Sequence, residues 1–301
     1  MIHFNSSKIL IPVDFSETSL LAIKHGAFTA QLTQGNVYLL HVINILYFSQ
    51  EMFLPNISVH AQTDFEKIAQ ERLLQLAEEV KEEYGVEVEC ITKIGSPNRE
   101  ITDVAKEIEA TLIVMGTHGY SALEELVIGS TALKVITKAP CPTMAMNSDA
   151  NHKGYNKIVL PIDTSAHTRQ KVNYSIELAK KFSASLHVIG LLGSDEESEK
   201  PSMELILHQI EGFAKKANVV SHNDLISKVK NRATATIDYV NKINADLIVI
   251  MTDQEAELSG FFLGPYSQQV IHLSKVPVIC IRPVIGDSHG SILTGTGGYG
   301  Y

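Results

Sequence analysis

Continuous apolar runs alternate with stretches of helical spacing along the whole chain. Residues 9–13 are an unbroken apolar run, suited to a strand covered on both faces. Ser16 can cap a following helix, whose inward face is supplied by Leu20, Ile23 and Ala27. Residues 37–43 give a second strand. The stretch 44–60 is long and irregular and contains Phe48, Met52, Phe53, Leu54 and Pro55. Loops of that length usually lie over something, so it reads either as a flap over a site or partner surface, or as a segment packed on its own domain. Phe65, Ile68, Leu73, Leu76, Val80 and Tyr84 then recur at steps that predict a second helix, ended by Gly85. Residues 86–94 read as a third strand. Ser96-Pro97 opens a helix that reaches about Glu109, with Ser96 as its cap. A fourth strand at 111–115, a glycine-bearing loop, a helix from Ser130 and a short fifth strand at 142–146 complete the unit.

The unit then repeats. Lys8-Ile9-Leu10-Ile11-Pro12-Val13-Asp14 returns as Lys157-Ile158-Val159-Leu160-Pro161-Ile162-Asp163, 149 positions later. Ala110-Thr111-Leu112-Ile113-Val114 returns as Ala245-Asp246-Leu247-Ile248-Val249, 135 positions later, so the second copy has lost residues in between. The missing residues map to the connection after the second strand. A period of a whole domain length means a duplicated domain. The second copy predicts strands at 158–162, 186–191, 224–229, 247–250 and 278–281, and helices near 166–182, 202–216, 232–244 and 265–274. Strands alternating with helices imply an α/β fold: two tandem, doubly wound, parallel five-stranded sheets with helices on both faces. The expected divisions are a domain over 1–147, a second over 156–285 and a flexible Gly-, Ser- and Tyr-rich tail over 286–301.

Composition narrows the function. Apolar residues are 45% of 301, enough for packed cores. A net charge of −9 with no long basic run argues against a dedicated nucleic-acid binder. No apolar run reaches membrane-spanning length, and the N-terminus lacks a basic region followed by an apolar one. Cys90, Cys141 and Cys280 are widely separated and form no C-x-x-C pair, which suits the cytoplasm. The acidic run Asp195-Glu196-Glu197 with Glu199 reads as a solvated loop. The twelve histidines show no metal-ligand spacing, so no metal site is expected.

The stretch with chemistry is Gly116-Thr117-His118-Gly119, nine further residues, then Gly129-Ser130-Thr131. It joins a predicted strand to a predicted helix. Glycines admit close approach of an anion, and the first amides of a helix point at it along a favourable dipole. The pattern is neither a P-loop nor the G-x-G-x-x-G fingerprint. An ordinary strand-to-helix loop with a helix cap is the plainer reading. The spacing G-x2-G-x9-G-[ST] resembles the ATP-binding signature of the universal stress protein family. That resemblance implies an adenine nucleotide alpha hydrolase-like fold and ATP (or AMP or ADP) as ligand, with Mg2+ able to arrive with it. It puts Pro12, Val13 and Asp14 on the adenine and ribose side and Val42 against the base. Phosphates would lie on Gly116, His118, Gly119, Gly129, Ser130 and Thr131. Other readings stay open: Asp14 as a turn or cap residue, Pro12 and Val42 as packing, His118 as a donor to phosphate or a side chain facing water. Lys134 and Lys138 read as a solvated face, with Lys134 also able to screen a phosphate. His41 reads as a core or edge histidine.

The second copy departs from the signature. Gly116 corresponds to Met251, Gly119 to Gln254 and Ser130 to Pro265, while Gly129 is kept as Gly264. Proline offers no amide hydrogen, and Asp253 and Glu255 add negative charge. Asp163 is read as structural there. The expectation is therefore a stress-response regulator that binds nucleotide in its first half, with at most slow hydrolysis, since no catalytic base, paired carboxylates or P-loop lysine is visible. The alternative is a nucleotide-independent scaffold; a substrate-adenylylating enzyme lacks its S-G-G-x-D-S or H-x-G-H motif. The resemblance also implies that the fifth strands, around 142–146 and 276–281, pair the halves about a pseudo-two-fold axis. Whether whole chains pair into a homodimer is left open.

Overall fold

A computed structural model of the chain describes residues 7–44, 59–118, 128–150, 154–165, 170–252 and 263–283. The first copy runs β1 (Lys8–Pro12), α1 (Glu17–Thr33), β2 (Asn36–Ile43), α2 (Val59–Tyr84), β3 (Val88–Ile94), α3 (Pro97–Glu107), β4 (Leu112–Gly116), α4 (Ser130–Lys138) and β5 (Thr143–Met146). The second runs β6 (Lys157–Ile162), α5 (Gln170–Phe182), β7 (Ser185–Gly193), α6 (Lys200–Lys216), β8 (Ser221–Val229), α7 (Arg232–Ile243), β9 (Leu247–Met251), α8 (Pro265–Leu273) and β10 (Val278–Ile281). A short 3-10 turn, Glu197–Glu199, precedes α6.

The ten strands form one sheet in the order β3-β2-β1-β4-β5-β10-β9-β6-β7-β8. Each half is parallel. The halves meet where β5 and β10 pair antiparallel, Ile279 opposite Met144. The expected pairing of the fifth strands is thus present, and it fuses the two five-stranded sheets. The join is reciprocal. Asn147, just past β5, donates to Ser274 O at 2.6 Å, and Arg282, just past β10, donates to Ala139 O at 2.8 Å.

Strand alternation places the core on both faces. Ile9 and Ile11 point to one layer and Leu10 to the other. The first layer packs α1, α2, α5 and α6; the second packs α3, α4, α7 and α8. Both layers run across the β5–β10 seam, through Met144 and Ile279 on one face and Ala145 and Val278 on the other.

Element ends differ from the sequence reading in physically simple ways. Helix α2 begins at Val59, so it claims the last residues of the stretch expected to be irregular. Residues 45–58, read as either a flap or a segment packed on its own domain, lie outside the described residues, as does the tail from 284. Helix α3 stops at Glu107 because Glu109 turns left-handed (φ 53°) and Ala110 closes back on Ala105 O. Ser96 sits at the N-cap of α3, but its hydroxyl bonds Asn98 Oδ1 and caps no amide. Gly85 does end α2, at φ 65°. The described part of α5 begins at Gln170, and residues 166–169 lie outside the description. Edge strand β8 starts at Ser221, earlier than expected, because its polar outer residues carry no apolar signal.

Candidate functional site

At the carboxyl end of β1 the sheet changes direction, with β2 on one side and β4 on the other. Such switch points open the crevice where ligands collect. Pro12 helps to open it. Pairing of β1 with β2 continues to Pro12↔Leu40, whereas the seam with β4 stops at Leu10↔Ile113. A proline nitrogen has no hydrogen to extend a ladder. Pro161 stands in the same relation to β7 and β9, whose seam with β6 ends at Val159↔Ile248.

Past Pro12 the chain is held tightly. Val13 is buried and its amide donates to Leu40 O at 2.8 Å, while His41 Nδ1 reaches Val13 O at 2.8 Å. Asp14 is exposed. Its Oδ1 accepts from the Ser16 amide at 3.0 Å and from the Ser16 hydroxyl. Asp14 therefore performs the turn role, and its other oxygen has no hydrogen-bond partner among the described residues. Between them Phe15 adopts φ 64°, a left-handed conformation that costs a bulky residue about 1–3 kcal/mol. It is clamped by the His41 ring, 4.8 Å away, and by the Arg72 guanidinium, 4.5 Å over its face. Continuing the β1–β2 register brings Val42, half-buried, level with Asp14.

Gly116 ends β4 beside this turn. A Cβ there would stand 2.8 Å from Thr18 Cβ, so only glycine fits. Thr18 Oγ1 donates to His118 O and ties α1 to the loop. Thr117 is buried; its amide donates to Met146 O at 2.8 Å. Its hydroxyl lies 3.2 Å from Met146 O and 2.9 Å from His118 Nδ1. Met146 O can only accept, so the hydroxyl donates there and accepts from His118 Nδ1–H, which leaves Nε2 without a hydrogen in the neutral ring. His118 Nε2 is buried and has no hydrogen-bond partner among the described residues. Neither Thr18 nor Thr117 stood out in the sequence, although both carry the loop. Gly119 lies outside the described residues.

The far side of the loop returns at Gly129, whose amide donates to Thr117 O at 2.8 Å. A Cβ at Gly129 would meet that oxygen at 2.9 Å. Gly129 is the N-cap of α4 and offers no side-chain cap. The first intrahelical bond is Leu133 N to Gly129 O, so the amides of Ser130, Thr131 and Ala132 have no intrahelical acceptor. Ser130 is exposed and Thr131 half-buried. Lys134 and Lys138 are exposed, as expected for a solvated face. The structure thus brings Val13, Asp14, Gly116, His118, Gly129, Ser130 and Thr131 to one end of the sheet.

The second half repeats the frame without the opening. Gly264 N donates to Thr252 O at 3.3 Å and Thr252 N to Ile281 O at 2.9 Å, matching Gly129, Thr117 and Met146. Asp163 Oδ1 accepts from the Ser165 amide, as Asp14 does from Ser16. Met251, fully buried, replaces Gly116, and Pro265 opens α8 in place of Ser130. A Cβ at Gly264 would meet Thr252 O only at 3.9 Å. Gln254, Asp253 and Glu255 lie outside the described residues. What remains is a cleft lined by Pro161, Ile162, Asp163, Lys171, Leu191, Arg232 and Tyr266. Glu196, expected on a solvated loop, instead pairs with Arg232 Nη2 and accepts from Gly193 N at 2.7 Å. Its burial opposes ionisation, but Arg232 and the Gly193 amide outweigh that and hold the carboxyl below its ordinary range.

Among the described residues no group of three or more His, Cys, Asp or Glu side chains is placed to hold a metal ion, and no helix is long and apolar enough to cross a membrane.

Comparison with known proteins places this geometry in a family. The universal stress protein family matches residues 5–146 and again 154–282. A universal stress protein of Methanocaldococcus jannaschii is 32% identical over 145 residues, 46% of this chain and 81% of that protein. One of Mycolicibacterium smegmatis is 23% identical over 290 residues, 91% of this chain and 97% of its own. A crystal structure of a universal stress protein from Archaeoglobus fulgidus aligns with a TM-score of 0.75 at 22% identity, covering 92% of this chain and 98% of that one. That last likeness is one of fold.

Proposed function

The chain belongs to the universal stress protein family, and on that premise we propose that its first half binds an adenine nucleotide, ATP or its products, as a regulator in the stress response. The observation that carries this reading is a set of donors without acceptors around one loop. The amides of residues 130–132 lie beside the turn that Gly116 and Gly129 keep narrow. A polyphosphate would supply those acceptors and gain from the helix dipole. Pro12, Val13, Asp14 and Val42 would line the base and ribose, with the unused Asp14 oxygen accepting from a ribose hydroxyl. Gly119, Ser130 and Thr131 would complete the phosphate contacts. Mg2+ would come with the nucleotide and screen its phosphate charge.

Binding would bias a conformation or an assembly instead of driving rapid turnover, because no group among the described residues at this edge is placed as a catalytic base. The second half, with Met251 and Pro265, would serve as a partner domain without nucleotide. The expected divisions at 147 and 156 are retained in this proposal, as is the cytoplasm as the site of action. Heating the purified full chain and separating the released small molecules tests the reading. Released ATP, ADP or AMP near one equivalent per chain supports it. A protein that releases none and gives no calorimetric signal with added nucleotide favours the nucleotide-independent scaffold.

A further inference from the structure

Two hydroxyls at the start of α1 serve the two sides of the first-half crevice. Ser16, the N-cap, donates to the exposed carboxylate of Asp14. Thr18, buried at 8% exposure, donates to His118 O on the glycine-bearing loop. The hydroxyls stand 3.1 Å apart, and each spends its one hydrogen on its own side. Each side also has bonds that leave Thr18 out. Beside Asp14, Val13 N bonds Leu40 O and His41 Nδ1 reaches Val13 O. In the loop, Thr117 N bonds Met146 O and Gly129 N bonds Thr117 O. Thr18 links the loop to α1. It also shapes the start of the loop: a Cβ at Gly116 would stand 2.8 Å from Thr18 Cβ and 2.9 Å from Thr18 Oγ1, so the threonine is what restricts that position to glycine. The duplication changes both positions together. Gly116 becomes Met251, and Thr18 becomes His167, which lies outside the described residues.

We propose that Thr18 is a positioning residue that makes the first-half site prefer a polyphosphate to the bare nucleoside. The proposal rests on the nucleotide reading of that site and adds to it a determinant of phosphate preference. A backbone carbonyl turned toward a phosphate would repel it. The Thr18 hydroxyl holds the His118 oxygen on α1 and occupies it. Without that bond the chain at His118 is free to turn, and an arriving polyphosphate has to order it, a cost that lowers affinity. Contacts of base and ribose at Pro12, Val13 and Asp14 carry no such cost, because the bonds that fix this side are separate. Thr18 itself touches no ligand; it acts through His118.

Calorimetric titration of ATP into the full chain, with adenosine measured by displacement, tests this in the wild type and in Thr18→Val, Thr18→Ser and Thr18→Ala, each checked for folding by circular dichroism. Thr18→Val keeps the branched shape and loses the donor. It should weaken ATP roughly fivefold to tenfold, about the worth of one hydrogen bond, and leave adenosine within about twofold of wild type. Thr18→Ser keeps the donor and should keep the wild-type ratio of ATP to adenosine affinity. Thr18→Ala should repeat the valine result and stands in for it should Thr18→Val unfold. A threonine that merely supports the fold would weaken both ligands alike. An unchanged ATP-to-adenosine ratio in folded Thr18→Val or Thr18→Ala, or an equal loss of ATP affinity in Thr18→Ser, overturns the proposal and leaves nucleotide binding standing. A wild type that binds neither ATP nor adenosine overturns the nucleotide reading and this inference with it.

Discussion

The hydroxyl of Tyr155 lies 2.9 Å from Nδ1 of His25, joining α1 of the first half to the segment that enters the second. Both side chains are buried, His25 at 1% and Tyr155 at 3% exposure. His25 Nε2 reaches Ala150 O at 3.3 Å, and a carbonyl only accepts, so Nε2 carries the hydrogen. Nδ1 then accepts from Tyr155. On its other side Tyr155 stacks on Phe182 of α5, ring centres 4.8 Å apart. One tyrosine thus links helices of both halves behind the β5–β10 seam.

Tyr155→Phe removes the donor to His25 and keeps the ring packing. It should destabilise the chain by about 1–3 kcal/mol. Tyr155→Ala should cost more, about 3–5 kcal/mol, through the cavity beside Phe28 and Phe182. Urea unfolding followed by circular dichroism measures both; equal losses would mean that ring packing contributes nothing.

The two loop glycines differ in what surrounds them. Gly129→Ala places a Cβ 2.9 Å from Thr117 O, whereas Gly264→Ala places one 3.9 Å from Thr252 O. The first should cost about 1–3 kcal/mol and weaken nucleotide binding. The second should stay within about 0.5 kcal/mol of wild type, as substitutions without a clash do. Thermal unfolding of the pair, with and without ATP, makes the comparison.

Lys171 gives the second half a pH signature. Burial lowers its pKa from 10.5 to about 8, with Asp163 pulling it back up. Between those values the unfolded chain binds a proton that the native chain does not. Stability from this group therefore rises as pH goes from about 8 to 10.5, and below 8 the full penalty for burying the charge is present. The gain is on the order of 3 kcal/mol. Measured as the difference between wild type and Lys171→Met, it should appear in that window and nowhere below it. A flat difference from pH 7 to 10.5 would show that the ammonium is not desolvated.

What the sequence revealed follows from which interactions are local. The runs around Ile9–Ile11 and Leu247–Ile250 read as strands because both their faces are buried, leaving no polar residue to blur the pattern. The Asp14-x-Ser16 turn was legible because its bonds span two residues. The edge start at Ser221 was not, since half its surroundings are solvent. Thr18 with His118, and Arg232 with Glu196, are bonds between residues far apart in sequence, and no local pattern announces them. The clue at Lys171 lay in the repeat: a charge stands where the first copy has Ala22 on an inward helix face. Within the acidic run at 195–199, where Asp195 and Glu197 are exposed as read, Glu196 was misread for the complementary reason, because its partner is supplied by another helix.

The central claim is one nucleotide per chain, held by the first loop. Calorimetric titration of ATP into the full chain, into Gly129→Arg and into Gly264→Arg tests it most directly. The account predicts one site in the wild type, lost in Gly129→Arg and kept in Gly264→Arg. Binding that survives Gly129→Arg and disappears with Gly264→Arg, or two equal sites in the wild type, would contradict it.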